Sequence, residues 1–475
     1  MSSKPLVVDL DGTILRTDLL QESALSLMAA SPMEVFKIPY YCFSGKASLK
    51  KVLATKVDID AKLLPYNLEF LDWLKDQKSS GIQLILCTGS DELLAKKVAA
   101  HLDLFDDVMA SDGVTNLTGQ HKASALVERF GINGFDYAGN SEQDLPVWAV
   151  AQNAIVVNGS KSLYKKASKI CKVSHHFLKN RTGLKLWARA LRTHQWVKNL
   201  LLFAPMIAAH LTADFDAWIS VFIGFLAFSG CASSIYLIND LLDLEHDRAH
   251  PRKRNRPLAS GDLPFLHGIL LVPLLLGLSL GLGSFLNDTF VMWLVIYLGL
   301  TTAYSFVLKP IIFVDVLALA MLYTLRIIAG AATLALSLSP WLLAFSIFFF
   351  VSLAFVKRYA ELEIQILKAT KKIRGRGYLT SDAPLVQSIG SASGFCSILV
   401  FVLYLNSPEV ISLYQAPEIM WLCTPILIYW QSWMWLSAHR GEMHDDPIMF
   451  AIKDKPSLIS GVMFLGVLLM GTVGL

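Results

Sequence analysis

Charge is what this sequence has least of. Asp, Glu, Lys and Arg make up 17% of its 475 residues, where a soluble globular chain carries roughly 25%. Hydrophobic residues reach 54% and the mean hydropathy is +0.49. Intrinsic disorder is excluded, because disordered chains are polar and highly charged. A single soluble fold is disfavoured for the same reason. The net charge of +4 is too small to argue for a polyanion, so no nucleic-acid partner is expected. The six cysteines (Cys42, Cys87, Cys171, Cys231, Cys396, Cys423) form no CxxC pair. That spacing argues against a zinc site or a disulfide frame and predicts reduced packing residues. A basic-then-apolar leader is also missing, since Met1–Pro5 runs straight into the short apolar stretch Leu6–Leu10. The first part of the chain is therefore expected in the cytosol.

Composition changes near residue 195. Residues 1–195 hold 24 Lys/Arg and 20 Asp/Glu, and residues 196–475 hold 18 and 18 over a longer stretch. The second part contains nine apolar runs, at 196–212, 218–238, 265–285, 290–307, 312–335, 341–356, 385–405, 417–436 and 457–474. Each is near the ~20 residues a bilayer-crossing helix needs. Segments 210–217, 284–291, 334–341 and 406–418 lack Lys and Arg altogether. The alternate ones contain five (Arg248 to Arg256), one (Lys309), seven (Lys357 to Arg376) and three (Arg440, Lys453, Lys455). A soluble helical core would not sort basic residues by parity, whereas the positive-inside rule does. The pattern predicts a multi-pass protein of the plasma (inner) membrane, with the N-terminal domain cytoplasmic and the C-terminus outside. Three parts are expected: a domain at 1–160, a basic linker at 161–190, and a membrane domain at 191–475. The linker, with eight Lys/Arg between Lys161 and Lys185, reads either as a solvated helix or as one lying on an anionic membrane surface.

The first domain opens on VVDLDGT, in which a buried strand ends at Asp9 and Asp11 follows two residues on. This spacing suits a carboxylate nucleophile and a general acid/base facing one Mg²⁺ at a strand's C-terminal edge. QLILCTGS (83–90) is a second strand ending in Thr88, whose hydroxyl and backbone can hold a phosphoryl oxygen. Lys122 can neutralise the phosphate, and YAGNSEQD (137–144) offers Asn140 and Asp144 as metal-side ligands. In this order the pieces resemble the haloacid dehalogenase (HAD) superfamily over residues 5–160. The resemblance implies a doubly wound parallel α/β sheet with a small helical cap around 17–75. Asn140 departs from it, since many members carry Asp there, and one negative charge is lost.

In the membrane part the densest polar cluster is NDLLDLEHDRAHPRKRNRPLASG, 239–261. Asn239, Asp243 and Asp247 are spaced i, i+4, i+8, which places three oxygen ligands on one helix face, with Asp240 beside them. Such a face suits Mg²⁺ and phosphate oxygens. Lys253, Arg254 and Arg256 follow and can clamp a phosphorylated substrate. NDxxDxxxD with this basic run resembles the first signature of the UbiA superfamily of intramembrane prenyltransferases over about 185–475. That implies an all-α polytopic domain of nine spans. The second signature normally adds an acidic pair, but YSFVLKPIIFVDVLALAMLYTLR (304–326) has Asp315 and then Leu319. Tyr304, Lys309, Asp315 and Arg326 remain there as polar groups. Arg326, deep in a span, needs a partner, and Asp315 is a candidate.

RTHQWVKN (192–199), LKPIIFVDV (308–316), KRYAEL (357–362) and DDPIMFAIKDKPS (445–457) are similar to the decaprenyl-phosphate phosphoribosyltransferase subgroup. That resemblance implies transfer of 5-phosphoribosyl from phosphoribosyl pyrophosphate (PRPP) to a polyprenyl phosphate. Mg²⁺ at Asn239, Asp243 and Asp247 would meet the pyrophosphate, and Lys198, Lys309 and Arg326 would hold the lipid phosphate. The HAD-like domain would then dephosphorylate the product. Two other readings stay open, of which only the first uses the same Asp cluster. One is a prenyltransferase moving a polyprenyl group from its diphosphate to a small aromatic or other acceptor. The other is a lipid-phosphate transporter with a regulatory HAD-like domain.

Overall fold

The computed structural model describes residues 4–35, 37–43, 45–178, 183–367, 376–407, 411, 414–443 and 446–473. It forms two compact units. One joins Met1–Leu191 to Tyr236–Val272, and the other joins Arg192–Ile235 to Pro273–Leu475.

The first unit is built on a six-stranded parallel sheet: β1 (Leu6–Val8), β2 (Leu84–Asp91), β3 (Asp107–Ser111), β4 (Asp136–Gly139), β5 (Asn153–Gly159) and β6 (Lys172–Leu178), in the order β3-β2-β1-β4-β5-β6. Its central strands are continuous apolar runs because helices cover both faces. Leu6, Val8, Leu84 and Leu86 pack on one face with Phe70, Leu74 and Val98. Val7, Ile85 and Cys87 pack on the other with Leu126, Trp148 and Ala167. Strand order reverses around β1, which pairs with β2 on one side and β4 on the other. That reversal opens a crevice at the strands' C-terminal ends, where ligands of such sheets bind. Asp9 follows β1 directly at this point.

The expected cap is present between β1 and β2. Helices Leu19–Ala30 and Lys46–Lys56 share a small core of Leu27, Leu49 and Leu53. Helix Leu68–Ser79, the last of the insertion, instead buries Phe70, Leu71 and Leu74. Much of the expected linker is built into this unit. Helix Lys161–Ile170 buries Leu163 and Ala167 while its four lysines stay exposed, and β6 then pairs with β5. The lysines obscured a two-residue apolar stripe at i, i+4. Residues 179–182 of the linker lie outside the described residues.

Among the described residues, seven helices are long and apolar enough to cross a membrane: Phe215–Leu242, Phe265–Ser284, Asp288–Leu308, Val314–Thr333, Pro340–Leu367, Thr380–Leu405 and Lys455–Val473. The other two expected runs are broken. Residues 196–212 form short pieces, Thr193–Phe203 and Ala204–Ala208, with Lys198 and Asn199 buried and Pro205 within. Residues 417–436 form a turn at Pro417–Leu422 and a 17-residue helix, Cys423–His439. Apolar composition alone could not separate a full span from a buried half-length one. Of the five described cysteines, Cys87, Cys231 and Cys423 are buried as packing residues, while Cys171 is half-buried and Cys396 exposed. The side chain of Cys42 lies outside the described residues.

Candidate functional site

β1 delivers Asp9 into the crevice, and the next residues form a tight turn rather than a helix. Leu15 N–H donates to Leu10 O at 3.0 Å, and Gly12 has φ +73°. A Cβ on Gly12 would lie 2.0 Å from Asn140 Nδ2, so only glycine fits here. The turn aims Asp9 and Asp11 into a cavity of about 320 Å³ that also receives Lys50, Lys122 and Asn140. Lys122 Nζ donates to Asp9 Oδ1 at 2.7 Å and to Tyr137 Oη at 2.9 Å. Tyr137 Oη in turn donates to Asp144 Oδ1 at 2.8 Å. Asp11 Oδ2 accepts from Ser90 Oγ at 2.5 Å and Thr88 Oγ1 at 3.4 Å, and its Oδ1 accepts from Leu19 N at 2.8 Å.

The structure thus brings Asp9, Asp11, Thr88, Lys122 and Asn140 together. Asp144 lines the same cavity. Its Oδ2 accepts from Asn140 N, Ser141 N and Ser141 Oγ, so it anchors the β4 loop and fixes Lys122 through Tyr137. Lys50 was not singled out from the sequence, where it is one of several cap lysines. Its ammonium donates to Gly89 O at 2.6 Å and Asn116 Oδ1 at 3.0 Å. Ser90, the last residue of the CTGS run, was also missed as the closest partner of Asp11.

Burial raises Asp9 to about 6, with Lys122 opposing and Asp144 adding to the rise. Burial, Asp18 and Asp9 together raise Asp11 to about 7. Burial alone would lower Lys122, but Asp9 and Asp144 outweigh it and hold its value above that of an ordinary ammonium. Two buried carboxylates with one paired ammonium form a site short of positive charge. Asp9, Asp11 and Asn140 are an all-oxygen set that fits Mg²⁺. No group of three or more His, Cys, Asp or Glu gathers among the described residues, so a metal here would rest on two carboxylates and an amide oxygen.

A pH dependence follows. Both folded-state values lie above 3.8, so protonation contributes stability that is complete below about pH 4 and lost as pH rises through 6–7. Asp11→Asn should raise the unfolding midpoint in EDTA at pH 8 by on the order of 3 °C. That gain should vanish near pH 4. A gain of equal size at both pH values would refute the reading.

The aspartate-rich segment belongs to the same unit. Helix Phe215–Leu242 ends just before Asp243, and Leu244–Ala249 continues after it. The i→i−4 bonds survive the break, Asp243 N to Asn239 O at 2.9 Å and Asp247 N to Asp243 O at 2.8 Å. The expected face therefore persists locally, but of its three members only Asp247 is buried and Asp243 is exposed, while Asp240, beside the face, is buried. Arg256 Nη1 joins those two carboxylates, at 3.1 Å and 2.5 Å. Lys253 Nζ stands 3.9 Å from Asp247, and Arg254 is exposed. Two buried carboxylates converging on one cation, with oxygens of Asn239 and Asp243 nearby in sequence, fit a divalent ion with phosphate ligands.

The second unit has its own polar interior. Asp315 is fully buried and does not pair with Arg326, contrary to expectation. Its Oδ2 meets Arg358 Nε at 2.6 Å and Arg376 Nη1 at 3.1 Å, and its Oδ1 accepts from Tyr378 Oη at 2.8 Å. Glu361 completes the cluster through Arg358 and Arg376, and Tyr304 Oη lies 3.4 Å from Arg358. Asp315 stands near the start of helix Val314–Thr333 and Arg326 three turns further on, too far along the rod to meet. Arg326 reaches neutral partners instead: Asn199 Oδ1 at 2.8 Å, Tyr297 Oη at 3.0 Å and Leu322 O. Asp446 accepts from Lys198 at 2.9 Å, Lys357 at 3.1 Å and Tyr323 Oη at 2.9 Å. Burial would raise Asp446, but the two ammonium groups hold it well below the carboxylate range. The Tyr323 ring lies 5.8 Å from Lys198 Nζ and 5.6 Å from the Arg326 guanidinium. Lys309 lies half-buried after residues 304–308. Asp445, the first residue of the DDPIM segment, is outside the described residues.

Residues 200–465 match the UbiA prenyltransferase family, and residues 6–148 match haloacid dehalogenase-like hydrolases. The uncharacterized protein y4nM of Sinorhizobium fredii is 37% identical over 468 residues, covering 98% of this chain and 90% of that one. The decaprenyl-phosphate phosphoribosyltransferase of Mycolicibacterium smegmatis is 38% identical over 182 residues, which is 37% of this chain and 57% of that protein. A UbiA homolog from Archaeoglobus fulgidus, solved bound to GPP and Mg²⁺, is 16% identical over 59% of this chain and 97% of that one, with a TM-score of 0.46. The full-length relative and the family match over more than half of the sequence agree with the aspartate-rich segment and the apolar helices: the chain belongs to the UbiA prenyltransferase family of membrane proteins and carries a haloacid dehalogenase-like domain at its N-terminal end.

Proposed function

We propose that the chain transfers a 5-phosphoribosyl group from PRPP to a polyprenyl phosphate in the plasma (inner) membrane, with its N-terminal domain on the cytoplasmic side. Its HAD-like domain then removes the terminal phosphate of the lipid-linked product. The observation that carries the transferase reading is a surplus of buried positive charge around Asp446 and Arg326 among the described residues of the second unit. Lys198 and Lys357 share one carboxylate, Asp446, and Arg326, 5% exposed, is held by the neutral Asn199 and Tyr297. Uncompensated charge at membrane depth is costly, and an anionic ligand offsets that cost. A lipid monophosphate is such a ligand. Asp315 is held by two arginines and Leu319 stands where the second acid of the pair would be, which weighs against a prenyl diphosphate donor.

The donor's diphosphate is assigned to Asn239, Asp240, Asp243 and Asp247, with Lys253, Arg254 and Arg256 stabilising negative charge as pyrophosphate leaves. Bound Mg²⁺ would supply charge neutralisation there and at Asp9, Asp11 and Asn140. An oxygen of the lipid phosphate attacks the anomeric carbon as the bond to pyrophosphate breaks, and no protein nucleophile is needed. In the HAD-like domain Asp9 attacks phosphorus, and Asp11 gives its proton to the departing alkoxide. Asp11 then takes a proton from the water that hydrolyses the aspartyl phosphate. Detergent-purified chain with Mg²⁺, polyprenyl phosphate and PRPP should yield a lipid-linked pentose by mass spectrometry. Turnover of prenyl diphosphate with an aromatic acceptor, and none of PRPP, would refute the proposal.

A further inference from the structure

The HAD-like cavity has a wall that its own domain does not supply. Besides Asp9, Asp11 and Lys122 it is lined by Pro264 and Phe265. Phe265 is the first residue of Phe265–Ser284, a helix long and apolar enough to cross a membrane and only 17% buried within the protein. The phosphoryl-transfer cavity therefore ends where a membrane helix begins, within one compact unit.

This wall is built in, not merely adjacent. Glu22, on the first cap helix and 5% exposed, receives Arg248 in bidentate fashion, at 3.0 Å and 2.7 Å. Thr17 Oγ1 donates to the same carboxylate at 2.6 Å. Arg248 Nε also donates to Ala259 O at 2.9 Å, which ties the 258–265 loop to the cap. Asp262 accepts from Arg16 Nη1 at 3.2 Å. Gly261 has φ +71°, and a Cβ there would stand 2.7 Å from Arg16 Cβ, so the two segments meet backbone to backbone. Leu258, Leu263 and Phe265 are each at most 2% exposed. A buried two-point guanidinium–carboxylate pair is a specific positional device.

Arg16 itself lines the cavity, and its side chain keeps 35% exposure with one carboxylate partner, Asp262. Among the cavity's cations, Lys122 is paired with Asp9 and Arg16 with Asp262 at the cavity's edge, while Lys50 is held by the neutral Gly89 O and Asn116 Oδ1. A second anionic group on a substrate, between the scissile phosphate and the exit past Phe265, would find Arg16.

We infer that this cavity selects phosphomonoesters whose leaving group is anchored in the bilayer by a lipid through a second phosphate, with Phe265 and Arg16 setting that specificity. The inference rests on the reading of Asp9 as an active phosphatase nucleophile, but not on the transferase donor. The scissile phosphate sits at Asp9, the connecting phosphodiester beside Arg16, and the lipid leaves along the start of the Phe265 helix.

The test uses full-length chain in nanodiscs with Mg²⁺ and two probes sharing one headgroup: polyprenyl-phosphoryl-ribose 5-phosphate and its methyl-phosphoryl analogue. p-Nitrophenyl phosphate reports the chemistry. Phosphate release should show a kcat/KM ratio of lipid to methyl probe of at least 100, and Phe265→Ala should cut that ratio at least tenfold. Retained folding of the variant is checked by its thermal unfolding midpoint in the nanodisc. A ratio near one, with p-nitrophenyl phosphate hydrolysed, overturns the inference and leaves the phosphatase reading standing. If p-nitrophenyl phosphate and both probes survive, the phosphatase reading falls, and the inference with it.

Discussion

Asp9→Asn should abolish phosphate release, by at least ~10³-fold, while PRPP consumption continues. The substitution is nearly isosteric and keeps a side-chain oxygen for Lys122 Nζ, 2.7 Å away in the parent. Folding should therefore survive. What is lost is the carboxylate that attacks phosphorus. In a reaction with PRPP, Mg²⁺ and polyprenyl phosphate, the product should accumulate with its terminal phosphate intact. Mass spectrometry separates the two lipids by one phosphate. An unchanged product distribution would detach the N-terminal domain from this reaction sequence, whatever the transferase does. Lys122→Met is a useful companion, because it removes the charge that opposes the rise of Asp9. It should shift the activity profile to higher pH rather than erase activity.

Asp315→Ala should have the largest effect on stability. Arg358 is fully buried, and Arg376 Nη1 lies 3.1 Å from the same oxygen of Asp315. Removing the carboxylate leaves two guanidinium groups facing Glu361 alone, and breaking a buried pair in this way costs about 3–5 kcal/mol. The chain should lose its cooperative thermal transition or fail to accumulate in membranes. Replacing the pair together, Asp315→Leu with Arg358→Met, should recover part of the loss, since a buried charge is then no longer stranded. Equal instability of single and double variants, measured by unfolding in detergent, would show that the pair's desolvated charges are not the cause.

How much of this could be read from the sequence follows the range of the interactions. Asp9 and Asp11 were legible because a strand, a turn and two acids fall within seven residues, Leu6 to Gly12. The alternation of basic segments was legible because it depends on counts, not on contacts. Lys50 was not, since nothing in its helix distinguishes it from Lys46 or Lys51 until Gly89 O is brought to it. The pairing of Asp315 was misread for the same reason. Arg326 is eleven residues away in sequence, but the true partner, Arg358, is 43 residues away and arrives through packing of another helix. Asp144 carried the right residue type in the right order. Only the three-dimensional placement of Tyr137 and the Ser141 backbone reveals that its oxygens are already occupied. The stretch 161–190 shows the opposite error, in which a loud local signal of basic charge concealed the quiet stripe that seats a helix and admits a sixth strand.

The N-terminal unit is not contiguous in the gene. Residues 1–191 leave the ribosome before Tyr236–Val272 exist, and Glu22 is 226 positions ahead of Arg248. The nascent domain can close its sheet early, yet its buried carboxylate meets its guanidinium only after the first long apolar helix has been handed to the insertion machinery. A fragment ending at residue 191 would encode a sheet domain whose cap lacks its Arg248 latch.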